Sequence, residues 1–442
     1  MQKKNTRNVI NALLYSTESI TALLFSVVSV SLIARHFGPE NLARYSLAQS
    51  ISTLFIVFAT LGLEQFIIKE LSRNKLDAEY ITSILIGMLV GWIFYVGCVV
   101  AYYLVTKKFS HDLFLIITVV LSTLFLKVIF IRIYLQAQNK PKPIAISSFI
   151  SRIIAIGYLL TGSHFEMSFD LMMLYMPLQA FSLLIFMLGN QRDFIKAFQI
   201  KKFKFTRIIS SVKEATPILG STILYYFYNQ SDIIIMSNIL DAKQLGLYSA
   251  AIRLIPQAAF IGYILVATFY SEMDKKLLTD RVAFDHHVRL LLSIQFGIGI
   301  LLSIFASIFS TIIIKILYGE KYAESSQVLA ISCWAWVFIL PAALYSRLLI
   351  MLGYAKYELI KMIIVAPIII TMNYLFIKNL GINGSAAVYV FSYFTVDFLI
   401  YFLFKNTRHL AFIGLHALKD AIFSPLKTTR LFVSLMKLRS HA

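Results

Sequence analysis

Twelve long apolar runs, rather than one compact core's worth of hydrophobic residues, limit what this chain can become. They lie at roughly 10–34, 42–68, 79–105, 111–135, 143–162, 169–190, 214–238, 244–271, 289–314, 324–352, 356–377 and 384–404. Each approaches or exceeds the about 20 residues that a helix needs to cross a hydrocarbon core. The runs are continuous and lack the period-two alternation of barrel strands, so helices are expected. Water offers no alternative home: 59% of residues are hydrophobic and 14% charged, with 36 Phe and 24 Tyr, against about a quarter charged in soluble domains. The expected fold class is therefore all-α and polytopic in a membrane. That excludes a soluble enzyme, a secreted disulfide scaffold and a nucleic-acid-binding domain. Cys98 and Cys333 both sit inside apolar runs, and the chain has no HExxH, CxxC pair or Walker loop, so no disulfide framework, metal site or cofactor is expected.

The net charge of +19 then calls for a membrane explanation. Lys and Arg collect in cytoplasmic loops. With the N-terminus inside, cytoplasmic segments hold 28 of the 41 basic residues and outer segments hold eight. The inner set begins with Lys3, Lys4 and Arg7 and includes Lys75; the outer set includes Lys107 and Lys108. The split places both termini in the cytoplasm, with an even number of spans. The first run, too long for a signal-peptide core and without a cleavage site, is expected to be a retained anchor helix.

The chain also repeats itself weakly. Leu42-Ala-Arg-Tyr45-Ser46-Leu-Ala48 matches Leu245-Gly-Leu-Tyr248-Ser249-Ala-Ala251, and Arg132 with Lys140 echoes Arg347 with Lys356. Two parallel six-helix lobes around a central cavity are expected, with a pseudo-axis along the membrane normal. The organisation is 1–190 for the first lobe, 191–213 for a basic amphipathic linker helix, 214–405 for the second lobe and 406–442 for a basic cytoplasmic tail. In the linker, Phe194, Phe198, Phe205, Ile208 and Val212 recur at helical spacing among seven basic residues, which suits a helix lying on anionic lipid.

Arg35-His-Phe-Gly38-Pro39-Glu-Asn-Leu-Ala-Arg-Tyr45-Ser46 resembles the signature at the first outer loop of polysaccharide exporters, and Leu245-Gly246-Leu-Tyr248-Ser249-Ala resembles their second-half signature. The nearest type is the O-antigen-like flippase for lipid-linked oligosaccharides, in the superfamily that also contains multidrug antiporters. Ala43 departs from the Gly common there. The resemblance implies a flippase, not an enzyme, in a bacterial inner membrane. It would carry an undecaprenyl-pyrophosphate-linked repeat unit to the outer leaflet, act as a monomer beside polysaccharide-assembly proteins, and possess no cofactor beyond a coupling H⁺ or Na⁺.

Ionisable groups at membrane depth cost about 2.5–3.5 kcal/mol each near mid-helix, so they mark function or pairing. The bases are Arg152, Arg253, Lys127, Arg132 and Arg347. Arg152 lies deepest, at the middle of its span; Arg253 and Lys127 lie about 6 Å of helix rise from centre, and Arg132 and Arg347 about 13 Å. Arg132 and Arg347 can snorkel to the cytoplasmic surface instead. Lys127 and Arg132 are five apart, which on a straight helix puts them about 140° apart. Asp232, with Asn229 and Gln230, forms a polar patch suited to a cavity wall. Glu18 and Asp397 are the acids for coupling or gating, or for fixed intramembrane ion pairs; Glu64 stands near an interface.

The cationic excess suits a pyrophosphate better than a cationic drug, leaving a multidrug or cation antiporter as the alternative. A membrane polymerase or ligase is the third reading, although every outer connection is about ten residues or fewer and carries no catalytic constellation. Pro177, Pro217, Pro256, Pro341 and Pro367 fall within spans as candidate hinges, and Gly87-Met-Leu-Val-Gly91 as a close-packing motif within one lobe.

Overall fold

Helix after helix forms where the apolar runs lie, and the interruptions fall where glycine or proline breaks the ladder. The computed structural model describes residues 2–73, 77–106, 109–189 and 191–440. Lys75, Lys107 and Lys108, and the side chains of Lys3, Lys4, Arg7, Arg192, Pro217, Lys437 and Arg439, lie outside the described residues.

In chain order the helices of the first part are α1 (Gln2–Thr60), α2 (Glu64–Arg73), α3 (Ala78–Val105), α4 (Phe109–Thr123), α5 (Ile131–Ala137), α6 (Pro141–His164), α7 (Phe169–Met172), α8 (Tyr175–Gly189), α9 (Arg192–Ala197), α10 (Phe205–Asn229) and α11 (Ser231–Ile239). Then come α12 (Ala242–Ile252), α13 (Ala259–Thr279), α14 (Arg281–Tyr318), α15 (Ser325–Ser332), α16 (Trp336–Met351), α17 (Lys356–Asp397), α18 (Arg408–Phe423) and α19 (Pro425–Ser440). Among the described residues, nine helical segments are long and apolar enough to cross a membrane. Two of them, Thr17–Thr60 and Lys356–Phe402, run to 44 and 47 residues, about twice what one crossing requires. Each contains one non-helical glycine: Gly38 (φ 78°, ψ −179°) ahead of Pro39 in α1, and Gly381 (φ 58°, ψ −141°) in α17. Both glycines occupy left-handed backbone that a side chain disfavours.

The chain divides into two compact units, Met1–Ser237 and Asn238–Ala442. In the first, α1 packs along α3 and α6, α6 on α8, and α2 on α5. Gly91 shows how closely these helices approach: a Cβ there would strike the carbonyl oxygen of Phe58, and one at Gly87 would stand 3.1 Å from Cγ2 of Ile208. The glycine pair thus serves packing inside one unit. The signature residues also pack. Tyr45 hydroxyl meets that of Tyr175 at 2.6 Å, and Arg44 Nε donates to Asp112 at 2.7 Å.

Residues 191–213 are not the single helix expected. Helix α9 ends at Ala197, a short 3-10 turn covers Ile200–Lys202, and α10 begins at Phe205. Two neighbouring hydroxyls on α3 explain the breaks: Thr82 Oγ1 accepts the backbone N–H of Gln199 at 2.9 Å, and Ser83 Oγ that of Lys204 at 2.9 Å. Side-chain capture of backbone donors competes with helix continuation.

In the second unit α14 packs against α16 and α18, α13 against α16, and α15 against α17. Helix α14 is patterned for an apolar solvent. Leu301, Phe305, Ile308, Ile312 and Ile316 are exposed, whereas Gln295, Ser303 and Ser310 are buried. Ser303 Oγ donates to the Cys333 carbonyl at 2.7 Å. A contiguous exposed apolar stripe of this length would be a liability in water and is ordinary against lipid. The tail contributes structure as well as charge: α18 lies on α14, fastened by Arg289 Nε and Nη2 on the Asp420 carboxylate at 2.6 and 2.8 Å.

Candidate functional site

Three of the expected intramembrane charges meet inside the first unit. Arg152, buried on α6, donates from Nη2 to Glu18 Oε1 at 2.8 Å and from Nη1 to the Glu18 carbonyl at 3.0 Å and Thr21 Oγ1 at 2.5 Å. Arg132, on α5, reaches the same carboxylate from the other side, Nη1 to Oε1 at 3.3 Å and Nη2 to Oε2 at 3.1 Å. The Glu18 side chain is 7% exposed and that of Arg152 10%, but that of Arg132 is 36%. One carboxylate between two guanidiniums leaves a formal charge of +1, in surroundings where an unpaired ion is costly. Arg152 is the tightly held member and Arg132 the accessible one.

Lys127 joins this neighbourhood because its helix is not straight. Helix α4 passes into a π-helical turn at Leu124–Val128, Ile129 leaves helical geometry (φ −81°, ψ 82°), and α5 restarts at Ile131. The break cancels the angular separation expected on a regular helix, and Lys127 and Arg132 line one cavity. That cavity, about 470 Å³, is walled by Glu64 and Ile68 of α2, by Phe125, Leu126, Lys127, Ile129, Ile131, Arg132, Ile133 and Gln136 on the broken helix, and by Leu183, Leu184 and Met187 of α8. Lys127 Nζ pairs with Glu64 at 3.1 Å, both side chains about two-fifths exposed. Glu64, expected only to reach an interface, is thus part of the cavity wall. π-bulges and helix breaks in transporters commonly sit at functional cavities.

Asn229, Gln230 and Asp232 mark a second discontinuity: Asn229 ends α10, Gln230 caps it, and α11 restarts with Ser231. Asp232 is buried and accepts the Ile233 backbone N–H at 2.7 Å. In the second unit, Arg253 is half-buried at the C-terminal cap of α12, just before the turn at Pro256, and Arg347 is exposed on α16.

Asp397 has a partner that is absent from the intramembrane charges named from the sequence. Lys361, 2% exposed, stands 2.9 Å from Glu358 and 3.5 Å from Asp397, with its ammonium 3.4 Å from the Tyr401 hydroxyl. Lys361 lies one turn into α17, close behind exposed Lys356, and only the folding of Asp397 back beside it reveals its depth. A second cavity of about 410 Å³ opens between α14 and α18, lined by Asp285, His286, Arg289, His409 and His416 among others. Among the described residues no group of three His, Cys, Asp or Glu could hold a metal ion.

Known structures share this arrangement of helices. Lipid II flippase MurJ, in an inward closed conformation, matches with a TM-score of 0.69 at 14% identity, over 96% of this chain and 93% of its own. An inward-facing multidrug resistance MATE family transporter of the MOP superfamily gives 0.59 at 15% identity, over 88% and 94%. A mutant of the Vibrio cholerae MATE transporter VcmN gives 0.55 at 11%, over 95% and 97%. No curated protein sequence matches the chain. The chain thus shares the fold of MurJ and of these MATE transporters. The chain belongs to the polysaccharide biosynthesis protein family, whose model matches residues 9–270.

Proposed function

We propose that the chain carries an undecaprenyl-pyrophosphate-linked oligosaccharide, such as an O-antigen repeat unit, from the cytoplasmic to the outer leaflet of a bacterial inner membrane. The observation that carries this reading is membership of the polysaccharide biosynthesis family across residues 9–270. The likeness to a lipid II flippase along 96% of the chain supports it. Twelve crossings in two six-helix lobes would serve alternating access. In support, the nine apolar segments among the described residues, two of them divided at Gly38 and Gly381, would supply eleven crossings and α10 with α11 a twelfth. The charge bias puts both termini in the cytoplasm.

In this reading Arg132, Lys127, Arg253 and Arg347 offer positive charge to the pyrophosphate, while Arg152 holds Glu18 in place. Asn229, Gln230 and Asp232 offer hydrogen bonds to sugar hydroxyls. Glu18 and Asp397 are the acids through which H⁺ or Na⁺ would act. The chain would work as a monomer beside polysaccharide-assembly proteins. The test is complementation: expressed in a bacterium deleted for its own O-antigen-type flippase, the chain restores surface glycan. Failure to restore glycan across a panel of repeat-unit structures, with the protein correctly inserted, rejects the reading.

The solved structures give broader support to a second reading, since several are MATE transporters: ion-coupled export of a cationic small molecule. Ethidium efflux driven by a proton or Na⁺ gradient, independent of glycan synthesis, decides for it.

A further inference from the structure

We propose that the cavity between α2, the broken α4–α5 helix and α8 is a site for a phosphate-bearing head group, whose anionic oxygens replace Glu64 as the partner of Lys127 and Glu18 as the partner of Arg132. This deepens the flippase reading by locating where the charged group is received, and it can be tested apart from it.

The geometry points to exchange rather than to a fixed salt bridge. Two cations line the cavity, Lys127 and Arg132. Each is already matched to one carboxylate, Glu64 at 3.1 Å and Glu18 at 3.1 Å. A carboxylate presents two oxygens to a guanidinium much as a phosphate does, so a phosphate in the cavity can take over the bonds that these acids make, with Glu64 in the cavity wall and Glu18 outside it. Releasing them is cheap for different reasons. Glu18 keeps its 2.8 Å bond to Arg152 when Arg132 turns away, so no buried carboxylate is orphaned. Glu64 and Lys127 are both substantially exposed and can rehydrate.

The site has the size and mixed character of a ligand pocket. Its roughly 470 Å³ falls within the about 300–1,000 Å³ usual for small-molecule sites. Beyond the charged groups, Phe125, Leu183, Leu184 and Met187 give it an apolar wall. That wall suits the first isoprene units of a lipid phosphate and gains nothing from a free inorganic anion. The same argument separates the two deep arginines. Arg152 spends its bonds on Glu18 and Thr21, so it is a positioning residue, whereas Arg132 is the contact residue.

The test is calorimetric titration of the full chain in phosphatidylcholine nanodiscs, whose head groups carry no net negative charge, with inorganic pyrophosphate and with farnesyl pyrophosphate. Both should bind, farnesyl pyrophosphate the more tightly if the natural source is a lipid; equal affinities would assign the site to free phosphates. Glu18→Gln removes the competing charge while keeping an acceptor for Arg152, and should tighten binding about tenfold, equivalent to roughly 1.4 kcal/mol. Glu64→Gln should act in the same direction. Arg132→Ala should abolish binding and Arg132→Lys restore part of it. Unchanged or weaker binding in both Gln variants, or wild-type binding by Arg132→Ala, overturns the proposal. The variant series obeyed by a chain that restores no surface glycan keeps the site and rejects the flippase reading. Glycan restored without that series rejects the site alone.

Discussion

Arg152→Ala should destabilise the first unit by an amount the geometry sets. The substitution removes the 2.8 Å bond to Glu18 Oε1, the 3.0 Å bond to its carbonyl and the 2.5 Å bond to Thr21. Cutting one partner from a buried ion pair costs about 3–5 kcal/mol. Here Arg132 still covers both oxygens of Glu18, which argues for a cost at or just below the bottom of that range, about 2–3 kcal/mol. At roughly 2–4 °C per kcal/mol for a domain of this size, the midpoint should fall by about 4–12 °C. Tryptophan fluorescence during heating of the purified protein in detergent gives the midpoint. A double-mutant cycle with Glu18→Gln isolates the pair and should return a coupling of about 1–3 kcal/mol. A midpoint within 1 °C of wild type, or strictly additive effects, would show that the Arg152–Glu18 pair contributes nothing and that the charge cluster is misdescribed.

Three further outcomes follow from the same structure. Lys361→Met leaves Asp397 without its cation and should cost about 3–5 kcal/mol; adding Asp397→Asn should recover a large part of that loss in the same thermal assay. Gly91→Ala should lower the midpoint or abolish expression because its Cβ meets the Phe58 carbonyl, whereas Gly157→Ala, with nothing within 4 Å, should be neutral or slightly stabilising. Single cysteines at positions 195 and 430 should react with membrane-impermeant maleimide only after the cells are opened, since both lie in segments assigned to the cytoplasm; labelling of intact cells at either would reverse the topology.

Much of the helix framework was legible because bilayer length and glycine punctuation are local signals. The break at Gly38–Pro39 and the restart near Leu245 can be read within a dozen residues. The Tyr45 and Tyr248 repeat reports buried helix starts, since both rings and the adjacent Ser46 and Ser249 are buried. The site was legible only as a set of charges. Which acid meets which base depends on contacts 114 and 134 residues apart, Arg132 and Arg152 with Glu18, and no periodicity carries that information. Lys361 was hidden for the opposite reason. It sits beside the charged neighbours Lys356 and Glu358 at the start of the run 356–377, where a lysine counts toward the cytoplasmic charge, although the helix buries it. Nor could spacing reveal that Lys127 and Arg132 share a cavity, because the argument from 100° per residue assumes an unbroken helix and this one contains a π turn. The linker failed similarly: its apolar spacing is helical, but hydroxyls on another helix intercept its backbone.

Whether the chain moves an anionic lipid-linked glycan and not a cationic drug is tested most directly in proteoliposomes containing it in purified form. One population is loaded with a fluorescent pyrophosphate-linked oligosaccharide lipid and the other with ethidium under an imposed proton or Na⁺ gradient. Protein-dependent movement of the lipid between leaflets, lost in Arg132→Ala, is expected, with no gradient-driven ethidium transport. Ethidium transport coupled to the ion gradient, with the lipid remaining in its original leaflet, would contradict the flippase reading.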